Sequence, residues 1–157
     1  YGLVGSEMCI RDSHDRVLAE SNFFAKKHQE EQIQNRFKQL QPLLFETNEL
    51  IIKIPKSGTE IILEGKILQH CVGGYVQRHA DSKTNILFIR KKDEPDVPYF
   101  TIEVSNDYQI IQCHGYRNEA TCSKPDEIID FEKRYTDFLE ELKNERNQRN
   151  AVHIKTA

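Results

Sequence analysis

Tyr99-Phe100-Thr101-Ile102-Glu103-Val104-Ser105-Asn106-Asp107-Tyr108-Gln109-Ile110-Ile111-Gln112-Cys113-His114 reads as two β-strands joined by turn residues. Ser105-Asn106-Asp107 supplies the turn chemistry, and the runs on either side are rich in β-branched and aromatic residues. Side chains alternate across a strand, so Phe100, Ile102 and Val104 point one way and Tyr99, Thr101 and Glu103 the other. In the second run Ile111 and Cys113 oppose Ile110, Gln112 and His114.

A third strand-like run, Ile86 to Arg90, precedes this pair, and Asp93 to Pro98 forms the connection. A three-stranded antiparallel meander is the simplest topology. Earlier, Leu50-Ile51-Ile52-Lys53-Ile54 ends at Pro55 and reads as a short strand at a sheet edge or as an addition to it. Ser57-Gly58-Thr59-Glu60 has the form of a capping box and predicts a helix to about Cys71. Gly73-Gly74 is expected to end it through positive φ, with a second short helix from Tyr75. From His14 to Phe45 the residues favour helix, with Ile33, Phe37, Leu40 and Leu44 on one stripe. At the other end Ser123 before Pro125 marks a helix start, and Ile128, Phe131, Tyr135, Phe138 and Leu142 repeat at helical spacing. The fold expected is α+β, made of an N-terminal helix, a short strand, a central helix pair, the meander and a C-terminal amphipathic helix.

Leu3 to Ser13 resembles the translation of a transposase sequencing adapter, so residues 1–13 are set apart from the fold. Residues 14–56 then form the N-terminal helix and strand, expected to be the end of a longer region missing here. Residues 57–143 form the main domain. Beyond Lys143 the loss of apolar residues predicts a frayed tail over 144–157.

Net charge is −3, and acids and bases alternate without a basic block, which argues against a large electrostatic nucleic-acid footprint. Arg90-Lys91-Lys92 is the local exception, followed at once by Asp93, Glu94 and Asp96. No segment is apolar for long enough to span a bilayer and nothing outside the adapter-like stretch resembles a signal peptide, so a cytoplasmic location is expected. Setting Cys9 aside leaves Cys71, Cys113 and Cys122 without CxxC spacing, which suggests neither a disulfide framework nor a standard zinc site.

Chemistry concentrates in Glu64, His70, Cys71 and Tyr75, and again in Gln112, Cys113, His114 and Asn118. Cys71 is the candidate nucleophile. Adjacent helical residues diverge by roughly 100 degrees, so His70 is poorly placed as its base and His114 is the better candidate, with Glu103 or Glu64 as orienter. The bland alternatives are a buried structural Cys71 and a His70 that caps a helix end. Arg90, Thr101, Glu103, Gln112 and His114 could share one sheet face, either as a site or as the solvent side of a one-sided sheet. A metal site from His70, Cys71, Cys113 and His114 is disfavoured, since strand neighbours face opposite ways. No metal or cofactor is expected.

The pattern E-G-x-x-L-x-H-C-V-G-x-Y over Glu64 to Tyr75, the apolar run ending in Arg90, Tyr99-x-Thr101-x-Glu103 and Gln112-x-x-Gly115-x-x-Asn118 resembles the PcfJ-like proteins. The resemblance implies a protein of bacterial mobile elements, conjugative plasmids and phages. It adds weight to a compact polar ligand-binding site with Glu64, Tyr75, Arg90, Thr101, Gln112 and Asn118 as contacts. Nucleic acid or a nucleotide is the ligand considered, with Arg90 as the anion contact. The alternatives are a Cys71-dependent enzyme and an interaction module. In the last, exposed helix faces, Phe23 and Phe24 above all, would dock the missing region or another protein of the same element. Two positions depart from the family pattern. His114 stands where Lys or Arg is expected, which weakens anion binding at neutral pH, and Asp81-Ser82 replaces a glycine.

Overall fold

A computed structural model describes residues 2–118 and 124–156, with side chains from Asp15 onward. Helix α1 (Gly2–Gln39) leads through a 3-10 turn to strand β1 (Leu50–Lys53) and helix α2 (Gly58–Leu68). A second 3-10 turn (Cys71–Tyr75) and helix α3 (Val76–Ala80) follow, and then strands β2 (Asn85–Lys91), β3 (Phe100–Val104) and β4 (Ile110–His114). The last helix, α4, spans Asp126–Lys155, with Asp126 and Glu127 in its first turn, where the dipole favours acids. The start expected at Ser123, like Cys122, lies outside the described residues.

The fold is α+β, and its sheet has four strands where a three-stranded meander is the simplest expectation. The order is β1-β2-β3-β4, all antiparallel. β1 joins at the edge, with Ile51 opposite Arg90.

Both faces of the sheet are covered. On one, Leu87, Ile89, Ile102, Val104 and Cys113 pack with Ile128, Phe131, Tyr135 and Leu139 of α4. The Tyr135 hydroxyl also donates to the Leu43 carbonyl at 2.8 Å, joining α4 to the turn after α1. On the other, Ile86 and Phe88 pack with Ile33 of α1, Ile61 of α2, and Val72, Val76 and Ala80. Arg90, Thr101 and Glu103 belong to this second face and are buried, so the polar face is an interior and not the solvent side of a one-sided sheet.

The local route around α2 differs from the reading of the sequence. Ser57 Oγ accepts from the Glu60 amide as a cap, while Glu60 Oε2 accepts from the Lys56 amide, one residue earlier than the standard box. The helix stops at Leu68 because Gln69 turns left-handed, at φ 51°. Gly73 and Gly74 have negative φ. Glycine is required instead at Gly65, where a Cβ would lie 2.8 Å from the Gly73 nitrogen and 3.1 Å from the His70 carbonyl. The chain folds back so closely onto α2 that only a hydrogen fits between them.

Helix α4 runs on to Lys155 and does not fray at Asn144. All residues from Asn144 to Thr156 are exposed, and within the stretch Arg149 lies 3.7 Å from Glu145, an i,i+4 ion pair. From Asp15 to His28, α1 is likewise exposed, and Phe23 and Phe24 stand out at 65% and 64%. No described helix is long and apolar enough to cross a membrane.

Candidate functional site

Two hydrogen-bonded chains run across the polar face of the sheet. The first begins at β2. Arg90 meets Glu64 of α2 through two bonds, at 2.9 and 2.5 Å, with both side chains almost wholly buried. Thr101 Oγ1 donates to Glu64 Oε1 at 3.1 Å, and His70 Nε2 lies 3.1 Å from the same hydroxyl. His70 Nδ1 accepts from the Val72 amide, so the ring proton sits on Nε2 and is donated to Thr101. The His70 lone pair is thereby occupied. Burial holds this imidazole below its ordinary pKa, against an opposing backbone hydrogen bond, and repulsion between two protonated rings, His70 and His114, acts in the same direction as burial.

The second chain lies beside it on β3 and β4. Glu103 Oε1 accepts from Thr84 Oγ1 and Glu103 Oε2 from Gln112 Nε2, each at 2.6 Å. Gln112 turns its carbonyl oxygen to His114 Nε2 at 3.2 Å. His114 Nδ1 is buried and has no partner among the described residues.

A cavity of ≈ 40 Å³ opens between the Cys71–Tyr75 turn and this face, large enough for a water-sized group. His70, Cys71, Tyr75, Thr101, Glu103, Gln112, His114 and Asn118 line it together with Val72 and Ile86. Eight of the ten residues expected at the site from sequence therefore share one cavity. Glu64 and Arg90 do not: they line a separate hollow of ≈ 340 Å³ walled by Leu63, Ile67 and Pro98. Arg90 is not presented as an anion contact. Its guanidinium is taken up by Glu64 and by the Ile89 carbonyl, over the Phe88 ring.

The two described cysteines differ in exposure, and Cys113 faces away from His114 as alternation predicts. Cys71 is exposed and stands at the opening of a new turn, not at the carbonyl end of α2. The expected alternative of a buried structural Cys71 is overturned. Cys113 is the buried one, on the α4 face, where burial and then Glu132 push its thiol up. His70 caps as expected, but it caps the N-terminus of the next turn and not the end of α2.

Thr84 escaped the sequence reading, although it shares the parity of Ile86, Phe88 and Arg90 and so belongs to the same face. Gly115 is set by close approach, a Cβ there lying 2.8 Å from the Phe100 ring. Ser82 adopts φ 61°, which explains why a glycine suits that position in the family pattern.

The model of the PcfJ-like protein family matches residues 8–129, most of the chain. The chain belongs to the PcfJ-like family. This PcfJ-like chain is also 34% identical over 110 residues to the uncharacterised protein Lin1253/Lin1744 of Listeria innocua serovar 6a, a match covering 65% of the chain and 24% of the relative. The chain thus spans about a quarter of the length of the curated relative it matches. No solved structure matches the PcfJ-like chain.

Proposed function

We propose that the chain is the PcfJ-like part of an accessory protein of mobile genetic elements and that its polar cavity binds a ligand, with His114 as the principal contact. The observation that carries the ligand site is His114 Nδ1, buried and without a partner among the described residues, on a residue of the cavity wall. Leaving such a group unpaired costs about 1–3 kcal/mol, which a bound donor would restore. If the ligand is a nucleotide or nucleic acid, it engages through the N–H groups of a base, because Arg90 is closed to phosphate.

The test is titration of mononucleosides into ¹⁵N-labelled protein. Saturable shifts of the amides of Cys71, Tyr75, His114 and Asn118, lost in a folded His114→Ala variant, are expected. Silence of these amides toward all four nucleosides would remove nucleobases as the ligand.

A second reading is an enzyme with Cys71 as nucleophile and His114 as base, positioned by Gln112 and Glu103. It is favoured by the exposure of Cys71 on the same cavity as His114. His70 is unsuited as base because its lone pair already accepts from Val72. Alkylation of Cys71 against pH, located by peptide mass spectrometry, separates the readings. An apparent pKa well below about 8.5 that reverts in His114→Ala supports the enzyme, whereas an ordinary thiol profile removes it.

A further inference from the structure

We infer that Glu103, acting through Gln112, fixes the direction of hydrogen bonding at His114, and that the site therefore takes a neutral N–H or O–H donor and not a phosphate. The second half rests on the ligand-binding reading above; the first does not.

A carboxylate can only accept hydrogen bonds. Glu103 is buried, and both its oxygens are occupied, by Thr84 and by Gln112. Because the Gln112 amide must turn its NH₂ to Glu103, its oxygen is left for β4, and His114 answers with Nε2–H. The lone pair then stands on Nδ1, the atom without a partner. The polarity of the whole chain is set two side chains away from the atom it controls, which makes Glu103 and Gln112 positioning residues.

Charge selects the ligand in the same sense. Among the described residues no Lys or Arg lines the cavity, while Glu103 does, so a phosphate would meet a carboxylate and none of the described cations. At ≈ 40 Å³ the cavity admits a terminal group only. A primary carboxamide and the amino edge of a nucleobase both supply an N–H of this size.

The experiment uses the full chain with ¹⁵N-labelled histidine and long-range ¹H–¹⁵N correlation, His114 being assigned with His114→Gln. The unliganded protein is expected to show the Nε2–H tautomer at His114. Gln112→Leu is expected to move both ring nitrogens toward the average of the two tautomers. An Nδ1–H tautomer in the parent protein, or ring signals unchanged by Gln112→Leu, overturns the positioning role; the parent spectrum decides even if the variant does not fold.

Acetamide, cytidine and inorganic phosphate are then added separately. A shift of His114 Nδ1 with acetamide alone assigns an amide source, and with cytidine alone a nucleobase source; either supports donor recognition. A shift with phosphate alone overturns it. The expected tautomer with no response to any probe sinks the ligand-binding reading while leaving the role of Glu103 standing.

Discussion

Glu64 and Arg90 close on each other across the interface between α2 and β2, with side chains only 1% and 6% exposed, so solvent screens the pair little. Removing Arg90 alone strands a buried carboxylate. Arg90→Met is expected to lose about 3–5 kcal/mol of unfolding free energy, and Glu64→Met/Arg90→Met together much less than Glu64→Met and Arg90→Met summed. Urea unfolding of the four proteins gives the coupling. A single-variant loss below about 1 kcal/mol would mean the pair behaves as a surface one.

His79 is wholly buried and its Nδ1 accepts from the Ile86 amide at 3.1 Å. Burial, and then the charge of Arg36, lower its pKa from 6.5 to about 4. The folded value lies below the unfolded one, so the neutral ring is favoured in the fold. Its contribution is complete above about 6.5, declines as the pH falls, and is gone below about 4, roughly 3 kcal/mol in all. His79→Asn keeps an acceptor for Ile86 and does not titrate, so its stability is expected to fall less over that window. Parallel pH profiles for the two proteins would refute the assignment.

Ser82 sits left-handed at φ 61°, and its carbonyl accepts from Asn106 Nδ2 at 2.8 Å. Ser82→Gly keeps that bond and relieves the backbone. A gain of about 0.5–1 kcal/mol is expected, the relief being partly offset by the freedom of glycine in the unfolded chain. The denaturation midpoint measures it.

Gly65→Ala brings a methyl against the backbone of the turn that carries Cys71. A loss of about 1–3 kcal/mol is expected, with amide shifts spreading from Gly73 to Tyr75. Gly74→Ala is the control, since nothing lies within 4 Å of its Cβ position. Equal effects at both glycines would show that the close approach is not what matters at Gly65.

Alternation along β3 and β4 was enough to place Thr101, Glu103, Gln112 and His114 together, because a period of two is a local property of the chain. The helical stripes of Ile33 and of Ile128, Phe131 and Tyr135 were legible for the same reason, whereas the stripe read through Phe138 and Leu142 is carried at its end by the fully buried Leu139. What covers a face is not local. Whether the polar side of the sheet met water depended on α2 and the Cys71–Tyr75 turn folding over it, which hinges on the left-handed Gln69 and the hydrogen-only clearance at Gly65. Gln69 carries no signal for that conformation, so the glycine pair drew the expectation instead. Arg90 looked like a free cation because its partner, Glu64, is distant in sequence and becomes its neighbour only in the fold.

The cover that α4 gives the other side of the sheet has a consequence for how the chain is made. Every described residue of the cavity is synthesised by Asn118, whereas Ile128, Phe131, Tyr135 and Leu139 follow afterwards. A growing chain can therefore hold all the cavity residues while Leu87, Ile89, Ile102 and Val104 still lack the part of their cover that α4 supplies, a sticky surface awaiting its lid. Stopping synthesis before Asp126 would leave the chemistry intact on paper and yield a protein that aggregates before it could be assayed.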